Sequence, residues 1–438
     1  MLTPQPTDKT LADGPVLLTG ATGFLGMELL ARYLERGQRT VYALVRAADD
    51  AEAAARLRAA VHDVLPDAER YDDRLRAIRA DLAEPGLGLT AAQREALAEQ
   101  VVEIVHSAAS VEFTLPLEEA RTINVEGTRN MLEQALLTQR RGGLRRFSHV
   151  STAYVAGTHR GVFGEDDLDL GQGHRNTYER TKWEAEKLVR EHADLLPLQV
   201  FRPSIVVGER DSGWTPAFNV IYAPLKAFAK GATTPVMPAR RASPVDVVPV
   251  DYVADAIYAL AGGGVEGEPG RTYSLAAGPQ ASSVGELIDM SADMFERSRP
   301  YALPPWLYQR TVHQALVRRS DGARRRWLER STVFYPYFAL RARYDTTRAH
   351  STLAQEGIEV TPLQDYFDRL VGYAVTAQWG RRPLTRVEAA AQARRRQPRV
   401  IVPPAPLLTP AASSTAAAAA TAAASAAARH SGQVRAQA

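Results

Sequence analysis

Short apolar runs alternate with longer segments of helical periodicity along the first part of the chain. Val16 to Leu18 is the first apolar run, and Met27 to Glu35 repeats apolar residues at the 3.6-residue spacing of a helix. Four later runs also predict strands: Thr40 to Val45, Leu75 to Ala80, Val101 to Val105 and Phe147 to Ser151. Strands that alternate with helices in this way predict an α/β fold of the Rossmann type, a doubly wound parallel sheet. Its ligands are expected at the carboxyl ends of the strands.

Three glycines separate the first predicted strand from the first predicted helix. Gly20, Gly23 and Gly26 give the spacing GxxGxxG rather than GxGxxG. Glycines at such a turn let a pyrophosphate approach the backbone and lie against the free N–H groups of the helix start. An ordinary glycine-rich loop is the alternative. We predict a dinucleotide-binding turn that includes these glycines.

The ends of the second and third strands carry residues suited to the adenosine half of such a cofactor. Arg46 lies where an acidic residue would bind the ribose of NAD and where an arginine accommodates the extra phosphate of NADP, so NADPH (NADP) is predicted. The competing Asp49 and Asp50 fit the start of the next helix better. Asp81 could accept a hydrogen bond from the adenine amino group, or it could be a solvated loop aspartate.

Small residues follow the fourth strand, where they let the backbone approach a flat cofactor. His106, at the strand end itself, is expected to pack or to cap rather than to act as a base. The small residues that we include in the predicted cofactor site are Ser107, Ala108 and Ala109.

The predicted catalytic group follows the fifth strand. Thr152 stands at the strand end, and Tyr178 and Lys182 share one face of a later helix. The lysine charge is expected to lower the pKa of the tyrosine towards working pH, and Thr152 adds a second hydrogen bond to the same substrate oxygen. A solvated helix face is the alternative for Tyr178 and Lys182.

A second Tyr-x-x-x-Lys pair serves as a comparison for the first. Tyr222 and Lys226 have the same spacing, but Pro224 lies between them. About 25 residues upstream, where a strand-end Ser or Thr would be needed, stand Leu196 and Pro197. We therefore interpret this second pair as a coincidence of spacing.

The residue composition of the chain excludes several kinds of site and reaction. The 438 residues include no cysteine, which excludes disulfides, thiolate metal sites and a cysteine nucleophile, and no metal site is predicted. The formal net charge of only +3 does not indicate nucleic-acid binding. Neither a signal-peptide pattern nor a long apolar run occurs, so a cytoplasmic location without a transmembrane segment is expected, with peripheral membrane contact left open.

The predicted division of the chain has four parts. Residues 1–12 form a flexible N-terminus, and residues 13–275 form the NADP-binding domain with part of the substrate site. Residues 276–385 form a smaller, mainly helical substrate-binding or cap region that is aromatic with interleaved arginines. Residues 386–438, rich in Ala and Pro, form a flexible, disordered tail.

The glycine turn, Thr152, Tyr178, Lys182 and Asn124 together resemble the extended short-chain dehydrogenase/reductase family. Four motifs resemble its branch of fatty acyl-CoA reductases and carrier-protein thioester reductases, the male-sterility type: TGATGFLG at 19–26, HVSTAY at 149–154, RPSIVVG at 202–208 and VDVVPVDYVADA at 245–256. The resemblance covers about residues 14–300, and more loosely the chain to about 380. It implies that Thr152, Tyr178 and Lys182 are catalytic with Asn124 in support, and that His149 points away from the site. The further cofactor contacts that it implies are Thr22, Phe24, Leu25, Leu82, Pro203 and Ser204.

The resemblance implies an NADPH-dependent oxidoreductase that reduces long-chain acyl thioesters to the aldehyde. Whether the aldehyde is reduced further to the alcohol is left open. The lack of cysteine fits direct hydride transfer, because a route through a cysteine acyl-enzyme cannot operate. We expect the substrate to arrive as acyl-CoA or on a separate acyl-carrier protein. A sugar-nucleotide epimerase or 3β-hydroxysteroid-type dehydrogenase is the alternative within the superfamily, and a non-catalytic NADP sensor is the third.

Overall fold

A parallel sheet forms the framework of the chain. The computed structural model describes residue 11 and residues 13–218, 220–231, 235–263 and 268–395. The described strands are β1 (Val16–Thr19), β2 (Val41–Val45), β3 (Leu75–Arg79), β4 (Glu103–His106), β5 (Arg146–Val150), β6 (Gly161–Phe163), β7 (Leu198–Pro203), β8 (Ile205–Val207), β9 (Val236–Pro238), β10 (Pro244–Val245), β11 (Val247–Pro249), β12 (Arg271–Leu275), β13 (Ser282–Ser283), β14 (Tyr301–Leu303) and β15 (Ala342–Tyr344).

Seven of these strands form one sheet in the order β12-β7-β5-β4-β1-β2-β3, and each neighbouring pair is parallel. The strand order reverses at β1, where Leu18 lies opposite Ala43 on one side and Val105 on the other. A crevice for a ligand is expected outside the carboxyl ends of β1 and β4, because the connections leave in opposite directions there.

Fifteen α-helices lie between and after the strands in the described part of the chain. They are α1 (Phe24–Arg36), α2 (Asp50–Val64), α3 (Ala91–Gln100), α4 (Leu117–Arg121), α5 (Gly127–Arg141), α6 (Thr177–Arg190), α7 (Tyr222–Ala229), α8 (Val250–Tyr258), α9 (Val284–Met294), α10 (Pro305–Tyr308), α11 (Gln314–Arg318), α12 (Gly322–Ser331), α13 (Thr347–Leu353), α14 (Phe367–Thr376) and α15 (Arg386–Arg395).

The sheet buries its apolar side chains against the connecting helices. Leu17 and Ile104 of the strands lie in one buried cluster with Met131 and Leu132 of α5 and Val189 of α6. Removing this apolar surface from water is the main stabilising contribution to such a domain. The predicted doubly wound parallel sheet is therefore confirmed, and the five predicted strands begin and end within two residues of their observed bounds.

The described chain divides into two compact units. The first unit contains residues up to 217 together with 246–281 and 342–395, and the second contains residues 218–245 and 282–341. The chain thus returns to the first unit after residue 341, whereas the sequence analysis predicts domain boundaries after residues 275 and 385. The reason lies in Glu165, whose buried carboxylate accepts hydrogen bonds from the N–H groups of Ser274, Arg348 and Ala349 at 2.7 to 3.1 Å.

The second unit is mainly helical and contains α7 and α9 to α12. Its short strands pair as β9 with β14 and β10 with β13. Tyr308 and Tyr335 pack edge to face in its interior, with ring centroids 5.5 Å apart. The sequence prediction instead places a mainly helical region at residues 276–385.

The ends of the chain lie largely outside the described residues. Residues 1–10 and 12 of the predicted N-terminal segment and residues 396–438 of the predicted tail belong to this group. The first ten residues of the predicted tail form α15. That helix is attached through the Arg386 side chain, which forms ion pairs with Glu209 and Glu28 of the first unit.

Candidate active site

The glycine turn between β1 and α1 has a shape that larger residues do not tolerate. Gly20 has a φ of +76°, and a Cβ built on it would lie 2.9 Å from the Ala108 nitrogen. A Cβ on Gly26 would lie 1.9 Å from the Gly20 carbonyl oxygen. The same carbonyl accepts a 2.8 Å hydrogen bond from the Gly23 N–H. The turn therefore brings the backbone of β1, α1 and the residues after β4 unusually close together.

The start of α1 fits a diphosphate group. Gly23 occupies the N-cap position, where it makes no side-chain hydrogen bond to the first turn, and that turn contains no acidic residue. The backbone N–H groups and the positive end of the helix dipole thus have no anionic side chain of the helix itself beside them. Thr22, Phe24 and Leu25 are all partly exposed in this region. This end of the helix can hold the pyrophosphate of a dinucleotide.

Thr19 links the glycine turn to the end of β4, a role that sequence reasoning missed. Its hydroxyl oxygen accepts hydrogen bonds from the N–H groups of Ser107 and Ala108, both at 3.1 Å. It also lies 2.9 Å from Nδ1 of His106, whose other nitrogen lies 3.1 Å from the Thr128 hydroxyl. Burial lowers the pKa of His106 to about 3, so its ring is neutral and serves as a structural bridge. A hydroxyl residue directly before the turn is the sequence signal for this contact.

Thr152, Tyr178 and Lys182 converge at the end of β5. Asn176 caps α6 by accepting a 2.9 Å hydrogen bond from the Glu179 N–H, which fixes the helix start beside the strand end. The Tyr178 side chain forms a hydrogen bond with that of Thr152. One turn further along α6, Lys182 Nζ donates a 2.8 Å hydrogen bond to the Val150 carbonyl. The structure thus brings together the three residues that the sequence predicts as catalytic.

The protonation of Tyr178 and Lys182 differs from the expectation. Burial raises the pKa of Tyr178 to about 12, while its hydrogen bond with Thr152 acts in the opposite direction. Burial also lowers the pKa of Lys182 to about 8, although the Glu186 carboxylate opposes the change. The expected lowering of the tyrosine pKa is absent because the lysine ammonium is directed to the Val150 carbonyl. Tyr178 is therefore a protonated hydrogen-bond donor at neutral pH.

Asn124 lies in a wide helical turn, Thr122–Glu126, between α4 and α5. Its side-chain oxygen accepts a 2.8 Å hydrogen bond from the Ser110 N–H, and its nitrogen donates to the Ser110 carbonyl at 3.1 Å and to the Thr181 hydroxyl at 3.0 Å. Turns of this π type often mark functional positions in helices. Asn124 thus ties the loop after β4 to the helix that carries Tyr178 and Lys182.

The loop after β4 also contacts α6 through an aromatic pair. The ring of Phe113 stacks on that of Tyr178 with centroids 5.6 Å apart. The neighbouring Thr177 hydroxyl donates to the Leu115 carbonyl at 3.0 Å. Sequence reasoning did not identify Phe113, because its contact joins residues 65 positions apart with no motif to connect them.

The remaining predicted cofactor residues lie at the carboxyl ends of the sheet strands. Arg46 is exposed after β2, and its carbonyl accepts a hydrogen bond from the Arg56 guanidinium. Asp49 caps α2 by accepting from the Glu52 N–H at 2.8 Å, so it does not replace Arg46. Asp81 accepts from the Ala83 N–H at 3.0 Å in a local turn. The others are Leu82 after β3, Ser107, Ala108 and Ala109 after β4, and Pro203 and Ser204 at the end of β7.

The alternative Tyr-x-x-x-Lys pair lies elsewhere. Tyr222 and Lys226 belong to α7 of the second unit, which contains no strand of the parallel sheet among its described residues. The described residues also hold no cluster of three or more His, Cys, Asp or Glu side chains arranged to bind a metal. None of the described helices combines the length and the apolar character needed to cross a membrane.

Comparison with known proteins now identifies the family. The sequence model described as Male sterility protein matches residues 18–257. The chain belongs to this family. It is 31% identical over 299 residues to the fatty acyl-CoA reductase wat of Drosophila melanogaster, which covers 59% of this chain and 56% of that protein. It is also 31% identical over 306 residues to a carboxylic acid reductase of Mycobacterium marinum, covering 63% of this chain and 25% of that protein.

A solved structure supports the same placement. The terminal R domain from the myxalamid PKS-NRPS biosynthetic pathway superposes with a TM-score of 0.73 at 26% identity, covering 86% of this chain and 94% of that domain. The matches to the two curated proteins span only about half and a quarter of their lengths. Membership of the Male sterility protein family confirms the predicted resemblance and makes the parallel sheet an NAD(P)-binding domain of the extended short-chain dehydrogenase/reductase fold.

Proposed function

We propose that the protein is an NADPH-dependent reductase of long-chain acyl thioesters, which it converts to the aldehyde, with the alcohol as the product of any further reduction. The observation that carries the proposal is the arrangement of Thr152, Tyr178 and Lys182 at the end of β5, within a family that includes a fatty acyl-CoA reductase and a carboxylic acid reductase. The fold alone would not support this assignment of the reaction, because one fold can carry many different reactions.

The proposed chemistry uses the two hydroxyl groups at the end of β5. Thr152 and Tyr178 donate hydrogen bonds to the thioester carbonyl oxygen, which stabilises the negative charge that develops there. When bound, the nicotinamide supplies the hydride that adds to the carbonyl carbon. Tyr178, protonated because its pKa is about 12, gives its proton to the oxygen. The C–S bond of the resulting hemithioacetal then breaks, and aldehyde and thiol leave.

The reaction needs no covalent enzyme intermediate. The chain contains no cysteine, so an acyl-cysteine thioester cannot form. Lys182, cationic below its pKa of about 8, contributes positive charge near the oxygen that becomes negative. We propose that Lys182 and Tyr178 also contact the ribose next to the nicotinamide, and that Asn124 supports this arrangement through α6.

The preference for NADPH rests on the end of β2. The exposed Arg46 side chain and the neighbouring Arg56 offer positive charge for the 2′-phosphate, while Asp49 is engaged in capping α2. An acidic residue in the position of Arg46 would instead favour the free ribose hydroxyl of NAD. We expect Arg46→Ala to weaken NADPH binding while binding of NADH stays nearly unchanged.

We propose that the second unit binds the acyl group and its carrier. Residues 218–245 and 282–341 contain 14 lysines and arginines against six aspartates and glutamates, a formal charge of +8. Arg318 of α11 and Arg325 and Arg326 of α12 are exposed. Such charge suits the phosphates of acyl-CoA or the acidic surface of a carrier protein.

The experiment that tests the proposal measures oxidation of NADPH at 340 nm with palmitoyl-CoA, a long-chain aldehyde, a UDP-sugar and a 3-ketosteroid. We expect consumption with the thioester and identification of the aldehyde or alcohol, and Tyr178→Phe should abolish it while NADPH binding persists. Tyr222→Phe is the matched control, since it removes a hydroxyl from the second Tyr-x-x-x-Lys pair. Turnover of only the sugar or the steroid, or full activity of Tyr178→Phe, would refute the proposal.

A further inference from the structure

Three residues on one face of α6 contact the end of β5. Tyr178, Lys182 and Glu186 follow one another at intervals of four residues, so their side chains lie along the same side of the helix. Tyr178 contacts Thr152, and Lys182 Nζ contacts the Val150 carbonyl. Glu186 accepts a 2.7 Å hydrogen bond from the Ser151 hydroxyl. Each of the three consecutive residues 150, 151 and 152 is thus held by one residue of the helix.

Glu186 is a fully buried carboxylate with cationic partners. Its side chain has no exposed surface, and neither of its oxygens lacks a partner. Arg202, at the end of β7, donates to it from Nη2 at 2.7 Å and from Nε at 3.1 Å. Arg190 of the same helix donates from Nε at 3.0 Å. Together these bonds fix the carboxylate, and a fixed acceptor fixes the Ser151 hydroxyl that it binds.

We propose that Glu186 is a positioning residue for the reduction: held by Arg202, it fixes Ser151 and thereby Thr152, and it places a negative charge one helical turn from Lys182. The inference rests on the proposed function, and it assigns to Glu186 and Ser151 a role next to Thr152, Tyr178 and Lys182. Glu186 itself touches neither substrate nor cofactor. Its effect passes through its neighbours on β5 and α6.

The electrostatic half of the inference follows from the groups that face Lys182. Glu186 on the same helix favours the charged ammonium, whereas burial disfavours it and leaves the lysine pKa at about 8. His106 of β4 and His149 of β5 are neutral, because burial lowers the pKa of each. Tyr178 is also neutral near pH 8. Arg202 and Arg190 offset part of the Glu186 charge, so its removal should lower the lysine pKa by a moderate amount.

The test compares pH profiles of kcat for thioester reduction between pH 6 and 10. Wild type should lose activity as Lys182 deprotonates near pH 8. Glu186→Gln should move this alkaline limb down by at least about half a pH unit, because the buried ammonium loses the negative charge that favours its protonated form. Ser151→Ala should lower kcat by roughly tenfold or more through misplacement of Thr152 and leave the limb in place.

Glu184→Gln is the matched control. Glu184 lies on the same helix and pairs with the two arginines Arg121 and Arg180, so it loses an equivalent charge away from the strand end. We expect its kcat and alkaline limb to equal those of wild type. Glu186→Asp, which keeps the charge but shortens the reach to Ser151, should keep the limb and lose kcat. If Glu186→Gln fails to fold, Glu186→Asp still tests whether the contact of residue 186 with Ser151 affects kcat.

The outcomes separate this inference from the proposed function. Wild-type protein without thioester reductase activity would refute the proposed function, and the pH dependence of NADPH binding to the same variants then decides the role of Glu186. An alkaline limb of Glu186→Gln at the same pH as in wild type would overturn the electrostatic half, and so would a limb of Glu186→Asp that lies as low as expected for Glu186→Gln. An unchanged kcat in Ser151→Ala would overturn the positioning half.

Discussion

Thr152 shows how firmly a single hydroxyl group is oriented in the candidate active site. Its oxygen accepts a 3.2 Å hydrogen bond from the Tyr154 N–H, and its side chain bonds with that of Tyr178. The first bond fixes the side chain as the cap of a short helical turn, Ala153–Ala156. The second opposes the effect of burial on the Tyr178 pKa. The hydroxyl is therefore oriented before any substrate binds, which is the condition for electrostatic stabilisation of a developing charge.

Thr152→Val should lower kcat by about 100-fold to 1,000-fold, the usual loss when one oxyanion donor is removed. Valine has the shape of threonine without the hydroxyl, so the affinity for NADPH should hold. Thr152→Ser is the control, because it keeps the hydroxyl and should retain most of the activity. Stopped-flow reduction of palmitoyl-CoA in single turnover measures the step. Equal rates in Thr152→Val and wild type would contradict the assigned role.

His149 shows a different use of a polar residue in the same strand. It is completely buried, and neither of its ring nitrogens has a hydrogen-bond partner among the described residues. Burial, with the charge of Lys182, holds its pKa well below the usual range of histidine. The folded protein therefore keeps this ring neutral at a pH where the unfolded chain takes up a proton.

The consequence for stability has a definite sign. Below about pH 6.5 the unfolded chain binds more protons than the folded one, so the free energy of unfolding falls as the pH falls. His149→Leu should remove the contribution of His149 to this pH dependence. Between pH 7 and pH 5 its free energy of unfolding should therefore fall by up to about 2 kcal/mol less than that of wild type. Urea denaturation at the two pH values measures it. His62→Gln, at an exposed position of α2, is the control, and an equal loss in His149→Leu and wild type would disprove the argument.

At the scale of elements, the glycine turn brings the end of β1, the start of α1 and the residues after β4 into contact. Gly20 contacts the backbone after β4, Gly26 contacts Gly20, and Thr19 holds the N–H groups of Ser107 and Ala108. The turn, the start of α1 and the end of β4 therefore cannot move independently. This rigidity explains why the GxxGxxG spacing was informative: each glycine removes a steric conflict that a side chain would create.

Gly26→Ala should disrupt the turn, because its Cβ would meet the Gly20 carbonyl oxygen at 1.9 Å. Overpacking against backbone costs about 1–3 kcal/mol, so the midpoint of thermal unfolding should fall and NADPH binding should be lost or strongly weakened. Fluorescence titration and calorimetry measure the two effects. Gly173→Ala is the control, since its Cβ would meet only the Thr158 side chain at an ordinary 3.5 Å. Normal NADPH affinity in Gly26→Ala would refute the assignment of the turn.

At the scale of the whole molecule, charge is unevenly distributed along the chain. The second unit has a formal charge of +8 over 218–245 and 282–341, whereas the full chain has +3. Part of the positive charge is paired locally, as in the contacts of Arg241 and Arg299 with Asp289. Arg318 and Arg319 at the end of α11 are exposed, and they lie outside the ion pairs found among the described residues. They are suited to long-range attraction of an anionic substrate.

The double substitution Arg318→Glu with Arg319→Glu should raise KM for palmitoyl-CoA by roughly tenfold at low salt, with little change in kcat, and the difference should shrink as salt is added. Initial rates over a range of ionic strength measure this. A palmitoyl thioester of N-acetylcysteamine lacks phosphates and should be unaffected. Arg58→Glu, exposed on α2, is the control variant. An equal rise of KM for both thioesters would contradict electrostatic recognition of the carrier.

The sequence by itself determined those features that depend on neighbours along the chain. Alternation of apolar runs and helical segments predicted the parallel sheet, the glycine spacing predicted the turn, and the interval between Tyr178 and Lys182 predicted their common helix face. Each is a local regularity, because strand and helix periods repeat within a few residues. The position of Thr152 at a strand end then followed from the order of the elements.

Only the tertiary structure decided the features that join distant residues. The contact of Thr19 with Ser107 spans 88 positions, and that of Ser151 with Glu186 spans 35. The return of residues 342–395 to the first unit likewise depends on Glu165. The pKa of Tyr178 also depends on burial and on the direction of the Lys182 ammonium, neither of which has a sequence pattern. Packing places such groups together, and packing is a property of the folded chain as a whole.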